Sequence, residues 1–381
     1  MPSSPPSSRF DAIAPSVGVG LAAETPAPAA HIYIVDALRG FAALSVCFMH
    51  LTGGMLPKLV NSLTYPYFKW GGQGVTVFFV ISGFVIPYVL IRRKYTLSQF
   101  GRFIGKRFVR IDPPSYISMG LTLLQWATID LLFRSSHRWF VNITGSRLLH
   151  NFLYTASFTG DQEIWINKVF WTLAVEYQYY FTIALLFPLL LLNRYWLVGV
   201  SALLCLLPYV LRPLIVQRWG SLYDSYFFTQ HVPVFWMGVL TAFSFERRLP
   251  MSWYLTGLVV LTGLAFHQTL LRYSVGAHPD RVAPFLYPAF AVVTALLIRF
   301  VSFKSGLTTF LGAISYSLYL THNVAGTSTE VVVMKLLAPA SDAARVLGQV
   351  ICLGAVVSFA YLFYRYAEQP FVRLAGQMFK R

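Results

Sequence analysis

The chain has 381 residues, of which 56% are hydrophobic and only 12% charged, with a mean hydropathy of +0.59. A water-soluble domain needs charge on about a quarter of its residues to cover its surface, so this balance excludes an ordinary soluble fold and points to lipid as the solvent. The formal net charge of +16 does not indicate nucleic acid. The basic residues lie mainly in short segments between apolar runs, where they orient a chain in a membrane, and no nucleic-acid recognition fold is visible.

Residues 1–30 are rich in Pro, Ser and Ala and lack an apolar core after a basic start. They read as a disordered cytoplasmic tail, and the span that follows reads as a retained signal anchor. Apolar runs of spanning length fall near 33–55, 73–91, 114–133, 169–192, 195–211, 227–245, 251–271, 284–303, 307–328 and 346–366. The expected fold is therefore all-α: a polytopic integral membrane protein of about ten transmembrane helices over residues 31–370, with a short basic tail at 371–381. Aromatic residues reach 17%, which suits belts at the two headgroup layers.

Between the second and third runs lie Arg92, Arg93, Lys94, Arg102, Lys106, Arg107 and Arg110. This densest basic cluster is expected in the cytoplasm, and ten alternating spans then put both termini on the same side. Cys47, Cys205 and Cys352 each sit within an apolar run and read as packing residues. No metal site, internal repeat, Gly-rich phosphate loop or appended soluble domain is expected.

Charges inside a span are costly and persist mostly where they pair or work. In the first span Asp36, Arg39 and His50 fall on one stripe. Eleven steps of 100° bring Arg39 and His50 within about 20° of each other, about 16 Å apart along the axis. In the fourth run Thr172, Glu176 and Tyr180 share a face at one-turn spacing, just after Trp171. In the ninth, Ser315, Tyr319 and His322 do the same. Two histidines and a glutamate on three spans suggest a buried polar cavity suited to proton transfer. By residues alone, an enzyme and a secondary transporter are equally natural owners of such a cavity.

Five segments together resemble the membrane-bound acyltransferase-3 family, which includes O-antigen, exopolysaccharide and nodulation-factor O-acetylases. They are Val35-Asp36-Ala37-Leu38-Arg39-Gly40 with His50 beyond; Gly74 to Phe84; Arg107-Phe108-Val109-Arg110-Ile111 with Pro113 and Tyr116; Trp171-Thr172-Leu173-Ala174-Val175-Glu176; and Ser315 to Leu320 with His322. One departure stands out: where the family usually has an aspartate before Phe78-Phe79, this chain has Thr76. The end shortly after the tenth run matches the stand-alone form rather than relatives with an esterase-like extension.

The resemblance implies transfer of an acyl group, most often acetyl from acetyl-CoA as co-substrate, to a hydroxyl of a glycan or glycolipid, with no bound cofactor. It carries Arg39, His50, Arg107 and Arg110 over as functional residues. The expected roles are His50 as general base, with Glu176 and His322 orienting base or acceptor. Arg107 and Arg110, helped by Arg39, would hold the phosphates of coenzyme A. Asp36, Trp171, Ser315 and Tyr319 are expected to support these groups.

Overall fold

The computed structural model describes residues 31–54, 59–132, 140–159, 165–219, 226–273, 282–337 and 340–379. The expected tail at 1–30 and the last two basic residues, Lys380 and Arg381, lie outside them. The helices are α1 (Tyr33–Met49), α2 (Tyr65–Phe68), α3 (Gly74–Arg92), α4 (Phe100–Leu132), α5 (Gly145–Phe152), α6 (Phe170–Leu192) and α7 (Arg194–Trp219). They continue with α8 (Val232–Phe245), α9 (Met251–Tyr273), α10 (Ala283–Phe300), α11 (Gly306–Leu337), α12 (Asp342–Phe363) and α13 (Gln369–Met378). Among the described residues there is no strand, as expected where every backbone group must be satisfied within its own segment.

Setting aside the short α2, α5 and α13, the remaining helices stand where the sequence places its apolar runs. Among the described residues, six stretches are long and apolar enough to cross a membrane: Tyr33–Thr52, Tyr65–Arg92, Phe170–Leu192, Arg194–Arg218, Met251–Arg272 and Asp342–Met378. The other four fall short of that measure for different physical reasons. Helix α4 opens with Arg102, Lys106, Arg107 and Arg110, α11 is laced with Ser, Thr, His322 and Glu330, and α10 is an apolar helix of modest length. Helix α8 has only 14 residues, but everything from Val232 to Ser244 is buried by its neighbours. A helix walled in by protein need not match the hydrocarbon by itself. The outer helices do meet lipid: Leu203, Leu206 and Val210 of α7, Val259 of α9, and Leu347 and Val350 of α12 are exposed. The protein is a multi-pass membrane protein.

Side-chain contacts sort the connections onto two faces. Arg92 at the end of α3 donates to Glu246 beyond α8 at 2.8 Å, Arg102 donates to the carbonyl of Phe379 at 2.9 Å, and Lys304 before α11 lies over the Tyr33 ring. The start of α1, the α3–α4 and α8–α9 connections and the end of α13 therefore share one face. Opposite it, Ser62 donates to Asp342 at 2.5 Å and Arg345 donates to the Val60 carbonyl at 3.0 Å. This ties the α1–α3 connection to the α11–α12 connection, as alternating spans require. Helix α13, which continues past Pro370 into the expected tail, packs on α4.

Glycines set the closest crossings. A Cβ at Gly83 of α3 would lie 2.1 Å from the Phe235 carbonyl oxygen of α8, and one at Gly238 would lie 2.2 Å from that of Val80. Likewise Gly40 and Gly312 let α1 and α11 touch backbone to backbone, and Gly71 and Gly74 press against the Ser45 and Ala42 carbonyls of α1. Small residues at such crossings supply the van der Waals contact that drives association inside lipid. Gly238→Val should therefore force α3 and α8 apart, at a cost of about 1–3 kcal/mol or more, read as a lower unfolding temperature in detergent. Gly101→Ala, at a position with nothing within 4 Å, should leave that temperature unchanged or raise it.

Candidate active site

The first polar cluster lies between α1 and α11. Helix α1 stays regular to Met49 and then widens into a π-helical turn over His50–Gly54. Thr52 contributes to the widening by donating its hydroxyl to the Phe48 carbonyl at 2.8 Å, a side chain inserted into the helical ladder. The His50 ring meets that of His322 edge to face, with centroids 5.0 Å apart. His322 is buried in mid-α11, and its Nδ1 lies 2.9 Å from the Tyr319 carbonyl and 3.2 Å from that of Leu318. Carbonyls only accept, so Nδ1 carries the proton in the neutral ring and Nε2 keeps its lone pair. That Nε2, the Nδ1 of His50 and both amide atoms of the neighbouring Asn323 are buried without a hydrogen-bond partner among the described residues. Native interiors rarely leave such atoms idle.

The second cluster lines a cavity of about 130 Å³ between α1, α3, α4, α6, α11 and the end of α12. Arg39, Arg107 and Arg110 converge on it with two carboxylates, Glu176 and Glu368. Both oxygens of Glu176 accept hydroxyls, from Ser82 at 2.5 Å and from Tyr180 at 2.9 Å. Arg107 lies over the ring of that tyrosine, 5.4 Å from its centroid, and close to the Phe103 ring. Glu368 accepts from Ser317 at 2.6 Å and stands close enough to Arg39 and Arg110 to be felt by both. With three guanidinium groups against two carboxylates, the cavity has an excess of donors suited to an anion. Lys106, two turns before the apolar run of α4, adds to this field: burial and then the nearby Arg93, Arg107, Arg110 and Arg102 lower its pKa.

Tyr319 joins the two clusters. It lines the cavity, shares a 3.1 Å hydrogen bond with Thr172, packs on Phe78, and places its ring 5.9 Å from that of His322. The structure thus gathers Arg39, Arg107, Arg110, Glu176 and Tyr319 around one cavity, and pairs His50 with His322 next to it. Glu176 sits with the arginines rather than beside the histidines. The remaining three expected supports lie outside the cavity. Asp36 bonds His31 at 2.6 Å, Ser315 donates to the Gly312 carbonyl of its own helix at 2.8 Å, and Trp171 packs against Phe79, Tyr226 and His231.

Glu368 and Asn323 escaped the sequence reading, and Ser82 and Ser317, though inside two of the matching segments, were given no role there. Glu368 follows the tenth run in a second π-helical turn, Tyr364–Glu368. Pro370 explains the turn, because its ring would collide with the carbonyl four residues back in a regular helix. An acid two residues before a proline, in a chain with 14 acids in all, was the signal available. Asp112 is a further buried carboxylate, held by Tyr177 and by Tyr154. Thr76, at the position where an acid was expected, is buried and donates to Gln73 at 3.0 Å.

This chain matches the acyltransferase domain family over residues 32–365 and belongs to it. It is 27% identical over 301 residues to a putative acetyltransferase, ORF330, of Acidianus two-tailed virus, covering 75% of this chain and 80% of that one. It is 28% identical over 161 residues to the peptidoglycan O-acetyltransferase OatA of Listeria monocytogenes, covering 38% of this chain and 22% of that one. It is also 29% identical over 171 residues to the putative peptidoglycan O-acetyltransferase YrhL of Bacillus subtilis, covering 39% of this chain and 23% of the relative. The matched stretch thus spans less than a quarter of the two peptidoglycan relatives. No solved structure matches the chain. The protein is a membrane-bound acyltransferase.

Ser317→Ala removes the hydroxyl that Glu368 holds. It should lower stability by about 1–2 kcal/mol, measured by thermal unfolding in detergent, with Ser317→Thr retaining most of it.

Proposed function

We propose that this acyltransferase moves an acyl group, in the first instance acetyl, from acyl-CoA on the basic face to a hydroxyl of a cell-surface or secreted glycan met from the other face. On this reading the protein resides in the inner (plasma) membrane with both termini in the cytoplasm. The observation that carries the reading is the convergence of Arg39, Arg107 and Arg110 on one cavity next to the His50–His322 pair. The side-sorting of the basic connections agrees with a cytoplasmic donor. The names of the two peptidoglycan relatives favour a glycan as acceptor.

The cavity of about 130 Å³ is small beside the roughly 300–1,000 Å³ of sites that enclose a whole cofactor-sized ligand. The nucleotide of the donor therefore rests at the basic face, its phosphates on the guanidinium groups, and the narrow pantetheine arm enters. His50 takes the proton from the acceptor hydroxyl, whose oxygen attacks the thioester carbonyl carbon. The carbon–sulfur bond then breaks, and the leaving thiolate receives the proton. His322, with its Nδ1–H fixed by backbone carbonyls, orients the base or the acceptor. Glu176, held by Ser82 and Tyr180, keeps the arginine cluster in place when the donor is absent.

Two variants test this in membranes supplied with acetyl-CoA. His50→Ala should cut transfer to the native glycan by about 10²–10⁴-fold at unchanged protein level, and full activity would overturn its role as base. Arg110→Ala should raise the donor KM by roughly tenfold or more, the factor for losing about 1.4 kcal/mol of binding, and leave the acceptor KM near its original value. An unchanged donor KM would overturn phosphate binding at this residue.

A further inference from the structure

A second basic site lies on the same face as Arg92, away from the cavity, where the α6–α7 turn, the α8–α9 turn and the end of α10 meet. Arg194, Arg247, Arg248 and Arg299 line an open pocket of about 700 Å³, and no acid is among its lining residues. Glu246, the nearest acid in sequence, is taken by Arg92. Arg247 and Arg248 make no ion pair or hydrogen bond through their side chains among the described residues. Arg299 is aimed by its bond to Ser244 at 3.0 Å, and Arg194 lies over the rings of Tyr195 and Trp253.

The backbone here is unusual for the residue it carries. Arg247 has φ 56°, the left-handed conformation in which helices end and where glycine is the ordinary occupant. A side chain kept at such a position is a reason to look for work done by that side chain.

Beside the basic pocket lies an apolar groove of about 500 Å³ between α7, α8 and α9. Leu249 lines both, and Trp253, on which Arg194 stacks, lines the groove as well. Its walls are kept open by small residues, Ala202, Ser252 and Gly257, and it faces lipid beside the exposed Val260. A cluster of guanidinium groups at the water boundary, adjoining an apolar slot at Leu249 and Trp253, has the polarity of an anionic amphiphile.

We propose that this composite site binds a membrane phospholipid with an anionic headgroup, its phosphate on Arg247 and Arg248 with Arg194 and Arg299 at the sides, and one acyl chain in the groove. Forked guanidinium–phosphate bonds supply the head selectivity, and the groove supplies the tail contact. The site is separate from the cavity of Arg39, Arg107 and Arg110, and the proposal holds whatever acceptor the enzyme uses.

The test uses the full-length protein in neutral detergent, titrated with phosphatidylglycerol or phosphatidylcholine of identical chains, with bound lipid read by native mass spectrometry. The wild type should prefer phosphatidylglycerol, and R247Q/R248Q should lower that preference by roughly 30-fold, the factor for two basic residues at a membrane surface. Ala202→Phe, which fills the groove at an exposed position, should weaken both lipids while the headgroup preference persists. Equal binding of the two lipids by the wild type, or an unaltered preference in R247Q/R248Q that remains monodisperse, would overturn the proposal. If inorganic phosphate or adenosine 3′,5′-bisphosphate displaces the lipid from wild type and Ala202→Phe equally well, the ligand is a soluble phosphate and the lipid assignment falls.

Discussion

Three guanidinium groups turned into the interior of a membrane bundle impose a charge problem on everything around them. Each ion taken out of water costs several kcal/mol even after the protein relaxes, and the hydrocarbon offers nothing in return. Glu176 and Glu368 offset two of the three charges, and each is itself held by hydroxyls, Ser82 and Tyr180 on one, Ser317 on the other. The arginines come from α1 and α4, the carboxylates from α6 and the end of α12, and the hydroxyls from α3, α6 and α11. Compensating the cavity therefore specifies how six helices are arranged, and the remaining positive excess leaves the site receptive to an anion.

The packing makes that arrangement possible by letting backbones approach at a few glycines. Gly83 and Gly238 bring α3 against α8, and Gly40 with Gly312 brings α1 against α11. The second contact places Arg39 and His50 of one helix alongside Tyr319 and His322 of the other. Both π-helical turns among the described residues coincide with chemistry: the one after α1 begins at His50, and the one after α12 ends at Glu368. Such turns are frequent at functional sites because they re-aim a side chain without breaking the helix.

Much of this was legible in the sequence because its signals are local. Apolar run length placed the spanning helices, and the 100° spacing put Arg39 and His50 on one stripe of α1. The segments that resemble the family singled out Arg107, Arg110, Glu176 and His322, which the structure then draws to two adjoining clusters. Pairings across helices were not legible. Nothing in the spacing of α6 says that Glu176 meets Ser82 of α3, or that Tyr319 rather than Ser315 reaches the cavity. Glu368 was missed because it lies beyond the last apolar run, where an acid reads as solvated, and only the π turn before Pro370 swings it inward. The lesser hydropathy of α4 and α11 has the same origin: helices that carry a polar site are judged by their neighbours as well as by lipid.

The ring of Tyr180 presents its face to Arg107 and its hydroxyl to Glu176, so a cation and an acid communicate through one side chain. An anion that draws Arg107 away from the ring alters the electrostatic setting of the Tyr180–Glu176 hydrogen bond. Arg107 and Glu176 also feel each other directly, so the ring and that attraction together tie the arginine cluster to the carboxylate.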